Sequence, residues 1–207
     1  MAGLYTRDPY KQGYESNSDE EDIGETLDEI EGNPNKKILW AAEHNELDIA
    51  KELLEEDPEL VKSVDEDLYT PLHRASYNGH LMMVELLLTH NASVHARTAD
   101  GWQPIHSACK WNNPAVASLL LQNGSDINSQ TNGGQTPLHL AASNGKAKET
   151  LELLLLNRNI DPDILNAANE KASDIVTRVG PLGYLFEMVE DHMKPSSSFS
   201  KTGKLEH

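Results

Sequence analysis

The chain has 207 residues and is strongly acidic, with 34 aspartates and glutamates against 17 lysines and arginines and a formal net charge of −17. Because contacts from lysine and arginine to phosphate supply most non-specific affinity for nucleic acid, this balance argues against direct nucleic-acid binding. No apolar run has the length of a membrane span, and the first residues lack the order of a signal peptide. We therefore expect an intracellular protein with no membrane partner, in the nucleus, the cytoplasm or both.

The first 35 residues form an acidic segment in which carboxylates cluster between positions 19 and 31 without a basic residue among them. So little apolar surface cannot offset the entropy lost on ordering, and we predict a disordered tail. Three roles for it stay open. It could keep the protein soluble, dock as an amphipathic segment with Ile23, Leu27 and Ile30 on one side, or fold back over the protein's own binding surface.

Ser16 and Ser18 are predicted phosphorylation sites. Each has an acidic residue three positions later, Asp19 and Glu21, as acidophilic kinases prefer. Phosphate would add roughly −1.5 to −2 charge per site and push the tail further from a folded conformation.

After the tail, a four-residue motif recurs twice at a spacing of 33 residues, as Thr70-Pro71-Leu72-His73, Gln103-Pro104-Ile105-His106 and Thr136-Pro137-Leu138-His139. A threonine hydroxyl can accept hydrogen bonds from the free N–H groups that begin a helix, and proline fits the first helical position. Gly79 tolerates a left-handed backbone, so the first helix should end there and a second, apolar helix should begin near His80 or Leu81. The unit is a helix, a tight turn and a second helix.

This unit resembles the ankyrin repeat, a 33-residue unit with the signature T-P-L-H-x-A, and Ala75, Ala108 and Ala141 keep the alanine in register. The resemblance implies an all-α ankyrin-repeat solenoid of about four helix-turn-helix repeats plus a C-terminal cap. Terminal units are atypical in such stacks, which accounts for Trp40 and Asp174 at the histidine position. The predicted organisation is a tail at 1–35, a repeat domain at 36–194 (repeats at about 36–64, 65–97, 98–130 and 131–165, cap at 166–194) and a flexible tail at 195–207.

The sequence contains no recognisable catalytic or metal-binding motif. The three motif histidines should lie about 10 Å apart, too far for shared metal coordination, and the resemblance gives them a role in bridging backbone groups. No zinc spacing, phosphate-binding loop, dinucleotide fingerprint or zincin motif occurs. The single cysteine, Cys109, occupies the place of a small buried residue and should pack in the core. We therefore predict a non-catalytic protein with no cofactor and no metal.

Ankyrin repeats bind partners on a concave face made of the turns before each repeat and the exposed ends of the first helices. The repeat pattern places seven residues there: Tyr69, Tyr77, Arg97, Trp102, Lys110, Trp111 and Gln135. Four of the seven are aromatic in a chain that is only 5% aromatic, and aromatic and arginine side chains dominate interface energies. The alternative is that the two tryptophans lie flat on neighbouring loops and stiffen the stack.

These observations predict a monomeric interaction module, an adaptor or co-regulator that binds a protein partner on the concave face. The alternative is a transcriptional activator in which the acidic tail is the effector and the repeats choose the target.

The order Leu120, Asp126, Ile127, Asn128 also resembles the ankyrin sequence selected by the asparaginyl hydroxylase that modifies this family, so Asn128 is a predicted hydroxylation site.

Overall fold

The computed structural model describes residue 30 and residues 32–193. Within that part of the chain, ten α-helices and no β-strand occur, which confirms the predicted all-α fold. The helices are α1 (Pro34–His44), α2 (Leu47–Glu56), α3 (Pro71–Asn78), α4 (Leu81–Thr89), α5 (Pro104–Lys110), α6 (Pro114–Gln122), α7 (Pro137–Ala142), α8 (Lys148–Leu155), α9 (Ala172–Val179) and α10 (Tyr184–Met193). Short 3₁₀ helices follow α2 at Pro58–Lys62 and α9 at Pro181–Gly183.

The helices form two layers. The first helices of successive repeats, α1, α3, α5, α7 and α9, contact one another in order, and so do the second helices, α2, α4, α6, α8 and α10. Each helix pair therefore meets only its neighbours along the stack, as in other repeat proteins.

The helix starts follow the predicted chemistry. Thr70 precedes α3 and its hydroxyl oxygen accepts a hydrogen bond from the His73 backbone N–H at 3.3 Å, while Pro71 fills the first helical position. The same helix ends at Gly79, whose φ of +76° lies in the left-handed region. Thr136 and Pro137 begin α7 in the same way. Local sequence thus decides where the inner helices begin and end.

The core lies between the two layers and is continuous along the stack. Leu87, Leu120 and Leu154 occupy equivalent places in the second helices and are completely buried. Fully burying a leucine contributes about 1.5–3 kcal/mol relative to leaving it exposed. Cys109 is also completely buried, as predicted, and burial raises the pKa of its thiol.

The N-terminal boundary differs from the prediction. Helix α1 begins at Pro34, where the Asn33 side chain accepts hydrogen bonds from the N–H groups of Asn35 and Lys36. Ile30 is also completely buried. The predicted boundary at residue 36 therefore falls inside the first helix, because an Asn-Pro start here replaces the Thr-Pro start of the inner repeats. The rest of the predicted acidic tail, and the predicted C-terminal tail at 195–207, lie outside the described residues.

Candidate partner-binding surface

Four turns of the same design separate the repeats, at residues 65–69, 98–102, 131–135 and 166–170; we call them the first to fourth turns. In each, the N–H of the first residue donates to the carbonyl of the fifth, and the N–H of the fourth donates to the carbonyl of the first. Neighbouring turns are joined by backbone hydrogen bonds from Ala99 to Asp67, Asn132 to Asp100 and Ala167 to Gly133, at 2.9–3.0 Å. This row of turns and the exposed ends of the first helices form the surface that the repeat pattern predicts to be the concave face.

The motif histidines hold this face together. The Nδ1 of His73 accepts a hydrogen bond from the Thr70 backbone N–H at 3.2 Å, so Nε2 carries the proton and donates to the Trp102 carbonyl of the next repeat at 3.0 Å. His106 makes the same pair of bonds with the Gln103 N–H and the Ser129 carbonyl. Each ring therefore pairs with a backbone N–H through one nitrogen and with a backbone carbonyl through the other. Only the neutral imidazole can accept and donate in this way.

Burial lowers the pKa of His73 from 6.5 to about 4, and the hydrogen bond to the Trp102 carbonyl only partly opposes this shift. Burial lowers the pKa of His106 to about 4 as well. The pKa of His139 is lowered for the same reason. These rings are neutral structural donors at physiological pH, not acid–base groups.

An aromatic pair lies on the concave face at the ends of two first helices. The rings of Tyr77, in α3, and Trp111, directly after α5, have centroids 4.7 Å apart with their planes tilted by 52°. The Asn113 side-chain amide donates to the carbonyls of Ser76 and Tyr77 at 3.0 and 2.8 Å, which fixes the end of α3 against the next repeat. Trp111 nevertheless remains 39% exposed. Two of the seven predicted binding residues, one from the second repeat and one from the third, thus contact each other.

A small cleft adjoins the pair and is lined by Glu43, Tyr69, Arg74, Tyr77 and Asn78. The Arg74 guanidinium spans it, donating to the Glu43 carboxylate from α1 and to the Asp65 carboxylate of the first turn at 2.9 Å.

Sequence reasoning missed Arg74. The available signal was an arginine directly after the motif histidine, where the other copies have Ser107 and Leu140.

The other predicted binding residues are held by their own or the neighbouring repeat. Tyr69 and Trp102 lie beside the histidines of their own repeats, with ring centroids 5.6 Å from His73 and 6.3 Å from His106. Arg97 donates to the Gln130 carbonyl at 2.9 Å, Lys110 donates to the Ser143 hydroxyl at 2.9 Å, and the Gln135 backbone N–H donates to the Thr131 hydroxyl at 3.1 Å. Arg97 and Lys110 therefore connect neighbouring repeats through their side chains, whereas the ring contacts of Tyr69 and Trp102 and the Gln135 hydrogen bond lie within one repeat.

Asn128 lies where the third and fourth repeats meet. Its side-chain amide donates to the Asn159 carbonyl at 2.8 Å, and its side-chain oxygen accepts from the Asp161 N–H at 3.0 Å. The predicted hydroxylation site is therefore also a connection between repeats. Ser16 and Ser18 lie outside the described residues.

Residue 30 and residues 32–193 contain no group of three or more histidines, cysteines, aspartates and glutamates arranged to hold a metal ion. Over the same residues, every helix is too short or too polar to cross a membrane.

Comparison with known proteins agrees with this geometry. Three overlapping matches to the family model described as "Ankyrin repeats (3 copies)" cover residues 19–98, 38–131 and 91–166. The chain belongs to the ankyrin-repeat family. Ankyrin repeats indicate a protein–protein interaction module, and hence protein partners.

Several relatives share the name Ankyrin repeat domain-containing protein 49. The protein from Bos taurus is 64% identical over 161 residues, covering 78% of this chain and 68% of its own length. The Homo sapiens protein is 61% identical over 161 residues, covering 78% and 67%. The Drosophila melanogaster protein is 47% identical over 189 residues, covering 89% and 85%. The similarity therefore includes the repeats and the surface described above.

Proposed function

We propose that the protein is a non-catalytic adaptor or co-regulator that binds a protein partner on its concave face, around Tyr77 and Trp111. The observation that carries this proposal is the partly exposed ring of Trp111, which packs at a tilt against the ring of Tyr77. Hydrogen bonds from the Asn113 side-chain amide to the Ser76 and Tyr77 carbonyls already fix the helix end beside the pair, so the fold does not need a large exposed aromatic there. Partly exposed aromatic rings on a rigid support are typical of interface hot spots.

The cleft beside the pair supports the same surface. Arg74 brings together carboxylates from α1 and the first turn, so three segments of the chain are held as one rigid patch next to Tyr77. A preorganised patch loses little side-chain entropy when a partner binds. Protein partners fit this patch better than a small molecule, because it is a shallow lining of exposed and half-buried side chains instead of an enclosed cavity.

The test is a double substitution, Trp102→Ala with Trp111→Ala. Partner binding should weaken by about 2 kcal/mol or more, the usual scale of a hot spot, while the melting temperature stays within a few degrees of wild type. Affinity capture from cell extract, quantified by mass spectrometry, identifies the proteins lost, and calorimetry with the purified partner gives the affinity. Met82→Ala is the matched control, because Met82 is apolar and 59% exposed on α4 but lies on a second helix.

A different outcome would assign the tryptophans to packing. In that case the double variant melts much earlier and, measured below its melting temperature, captures its partner at wild-type affinity. The single variants separate the two residues, since only Trp102 lies beside a motif histidine and supplies a carbonyl to His73.

The second candidate function is transcriptional activation by the acidic tail, with the repeats choosing the target. It rests on tail composition and on a resemblance of the acidic leader and KKILWAAEHNELDIAKELL to a small ankyrin-repeat protein called fetal globin-inducing factor, a name that implies gene regulation. Deleting residues 1–29 separates the two functions. An adaptor keeps binding and output, whereas an activator keeps binding and loses output. The deletion stops before Ile30 because that side chain is buried.

We further propose that the protein is monomeric, works in the nucleus or cytoplasm, and is phosphorylated on Ser16 and Ser18. Intact-protein and peptide mass spectrometry on protein purified from cells tests the modification, and both serines unmodified under several conditions would end the proposal. Hydroxylation of Asn128 is tested in vitro with the hydroxylase, iron and 2-oxoglutarate, where an added oxygen on this residue is the expected product.

A further inference from the structure

The first turn has an unusual residue at its fourth position. The fourth position of every turn has a left-handed backbone, with φ of +66° at Leu68, +78° at Gly101, +71° at Gly134 and +57° at Asn169. Glycine adopts this conformation without a steric penalty and asparagine tolerates it, whereas a leucine Cβ is forced close to the following carbonyl. Leu68 is therefore a strained residue at a position where the fold accepts glycine or asparagine.

Burial does not compensate for this strain. The Leu68 side chain is 44% exposed, and Val64, just before the same turn, is 45% exposed. Strained backbone positions that bring no gain in packing cluster at functional sites, and the inference runs from the observed outlier to a function. Leu68, in the first turn, and Val64, one residue before it, both present an apolar side chain to solvent, and the left-handed backbone at Leu68 is a cost to the fold.

The same turn is also the most acidic of the inner turns. Glu66 and Asp67 are exposed, and the third turn has Asn132 and Gly133 in their places. The Asp65 carboxylate is already occupied by Arg74 and by the Tyr69 backbone N–H at 2.8 Å. Glu66 and Asp67 are thus the carboxylates of the turn that are placed to meet a cation from outside.

The turn is continuous with the surface around Tyr77, because Tyr69 completes the turn and also lines the cleft. We propose that the first turn is a docking element for a basic peptide segment of the partner, in which an apolar side chain packs on Leu68 and Val64 while lysine or arginine pairs with Glu66 and Asp67. This inference rests on the proposed function of the concave face and specifies the chemistry of what binds there.

The experiment uses the full chain and a display library of random linear peptides as the probe. Peptides enriched on the wild-type protein should combine an apolar residue with lysine or arginine. A synthetic peptide of that consensus should bind with an affinity that falls as salt rises, because the carboxylates are exposed. Leu68→Gly and Leu68→Asn should each weaken binding by about tenfold or more, the loss expected for an interface anchor.

The same variants should not weaken the fold. Leu68→Gly copies the second and third turns and Leu68→Asn copies the fourth, so both should melt at or a few degrees above the wild-type temperature. Asn169→Gly is the matched control, since it changes the equivalent backbone position without removing an apolar side chain and should leave peptide binding unchanged. Glu66→Gln with Asp67→Asn should lower the affinity and flatten its salt dependence.

Three results would overturn the proposal: no enriched peptides or a consensus without basic residues, equal binding by the Leu68 variants and wild type, or melting of both Leu68 variants well below wild type. The third result would show that Leu68 serves packing. Capture of the natural partner by the Trp102→Ala, Trp111→Ala protein is an independent measurement, so the concave-face proposal can stand when the docking element fails.

Discussion

In both the inner repeats and the C-terminal end of the stack, the third residue of the first helix accepts a hydrogen bond from the backbone N–H just before that helix, but the two regions connect to their surroundings differently. In the inner repeats the motif histidine accepts through Nδ1 from the backbone N–H of the residue that precedes its own helix, and it donates through Nε2 to a backbone carbonyl further along the stack. At the end, Asp174 takes the histidine position, and its carboxylate accepts the Lys171 N–H at 2.8 Å. An ionised carboxylate can only accept, so it makes the inward bond without the outward one.

This difference shows that the residue at the motif-histidine position depends on how many neighbouring repeats its own repeat contacts. A repeat with neighbours on both sides benefits from a ring with two separate nitrogen functions. The final helix pair has one neighbour, and it leaves apolar side chains exposed at Val179, Tyr184 and Met188. Since local stability in repeat arrays comes from the interfaces between neighbours, the two regions should respond differently to perturbation.

Acid should produce the largest effect, and it should act on the inner repeats. His73 and His106 have folded pKa values of about 4, below the unfolded value of 6.5, so the unfolded chain binds protons first. The contribution of these two histidines to the free energy of unfolding is therefore fully present above pH 6.5. It decreases as the pH drops toward 4, and below pH 4 these groups cause no further loss. Each histidine contributes about 1.4 kcal/mol per pH unit, which amounts to roughly 3 kcal/mol for each histidine between pH 6.5 and pH 4.

Urea unfolding between pH 7.5 and 4.5 measures this slope. His106→Gln should be less stable than wild type at pH 7 and show a shallower pH dependence. Met82→Ala, which changes an exposed side chain without a titratable group, is the control and should keep the wild-type slope. An unchanged slope in His106→Gln would mean that other groups cause the acid sensitivity.

A methyl group added at the joint between the two regions should have the next largest effect. A Cβ on Gly134 would lie 2.9 Å from the Ala167 backbone nitrogen of the fourth turn, and the residue has a φ of +71°. Gly134→Ala should therefore cost about 2–3 kcal/mol, because a backbone must move and the left-handed conformation is strained. Gly124→Ala is the control: its φ is +92° but no atom lies within 4 Å, so strain alone should cost about 1 kcal/mol. If urea unfolding shows that Gly134→Ala and Gly124→Ala lose the same free energy of unfolding, this explanation is wrong.

Hydrogen exchange should separate the two regions directly. We expect the fastest exchange, outside the tails, from residues 157–183, at least about tenfold faster than in α3 and α5. This segment includes the connection 156–171, which is two residues longer than the connection 90–103, and the interruption at Pro181–Gly183. Mass spectrometry of exchanged peptides at neutral pH provides the test. Uniform protection along the whole stack would show that the C-terminal end is as well held as the inner repeats.

The smallest expected effect concerns Asn128, which connects the third repeat to the fourth. Asn128→Ala removes the bonds to the Asn159 carbonyl and the Asp161 N–H and should cost about 1 kcal/mol, with the C-terminal segment exchanging faster. Asn128→Asp should fall between alanine and wild type, because it can still accept from Asp161 but cannot donate to Asn159. Asn123→Ala removes a bond only within its own helix, to the Leu119 carbonyl, and should leave the C-terminal exchange unchanged.

Much of the candidate surface followed from the repeat pattern, and some of it did not. The spacing of 33 residues predicts that Tyr77 and Trp111 lie near the ends of the first helices of neighbouring repeats, and their ring centroids are 4.7 Å apart. The pattern gave no sign that Arg74 joins Glu43 and Asp65, since those partners lie 31 and 9 residues away and have no counterparts in the other copies. Similarly, Leu68 differs from the glycine or asparagine of the other turns, and only the backbone angle shows that it keeps their conformation.

The sequence by itself determined the repeat, the helix starts at Thr70 and Thr136 and the helix end at Gly79, because these depend on hydrogen bonds and steric limits within a few residues. Only the tertiary structure decided the burial of Ile30, the second bond of each motif histidine and the two-repeat connection made by Asn128. Those contacts depend on how one helix pair rotates and seats on the next. That orientation is set by the summed packing of many side chains, which no short stretch of sequence specifies.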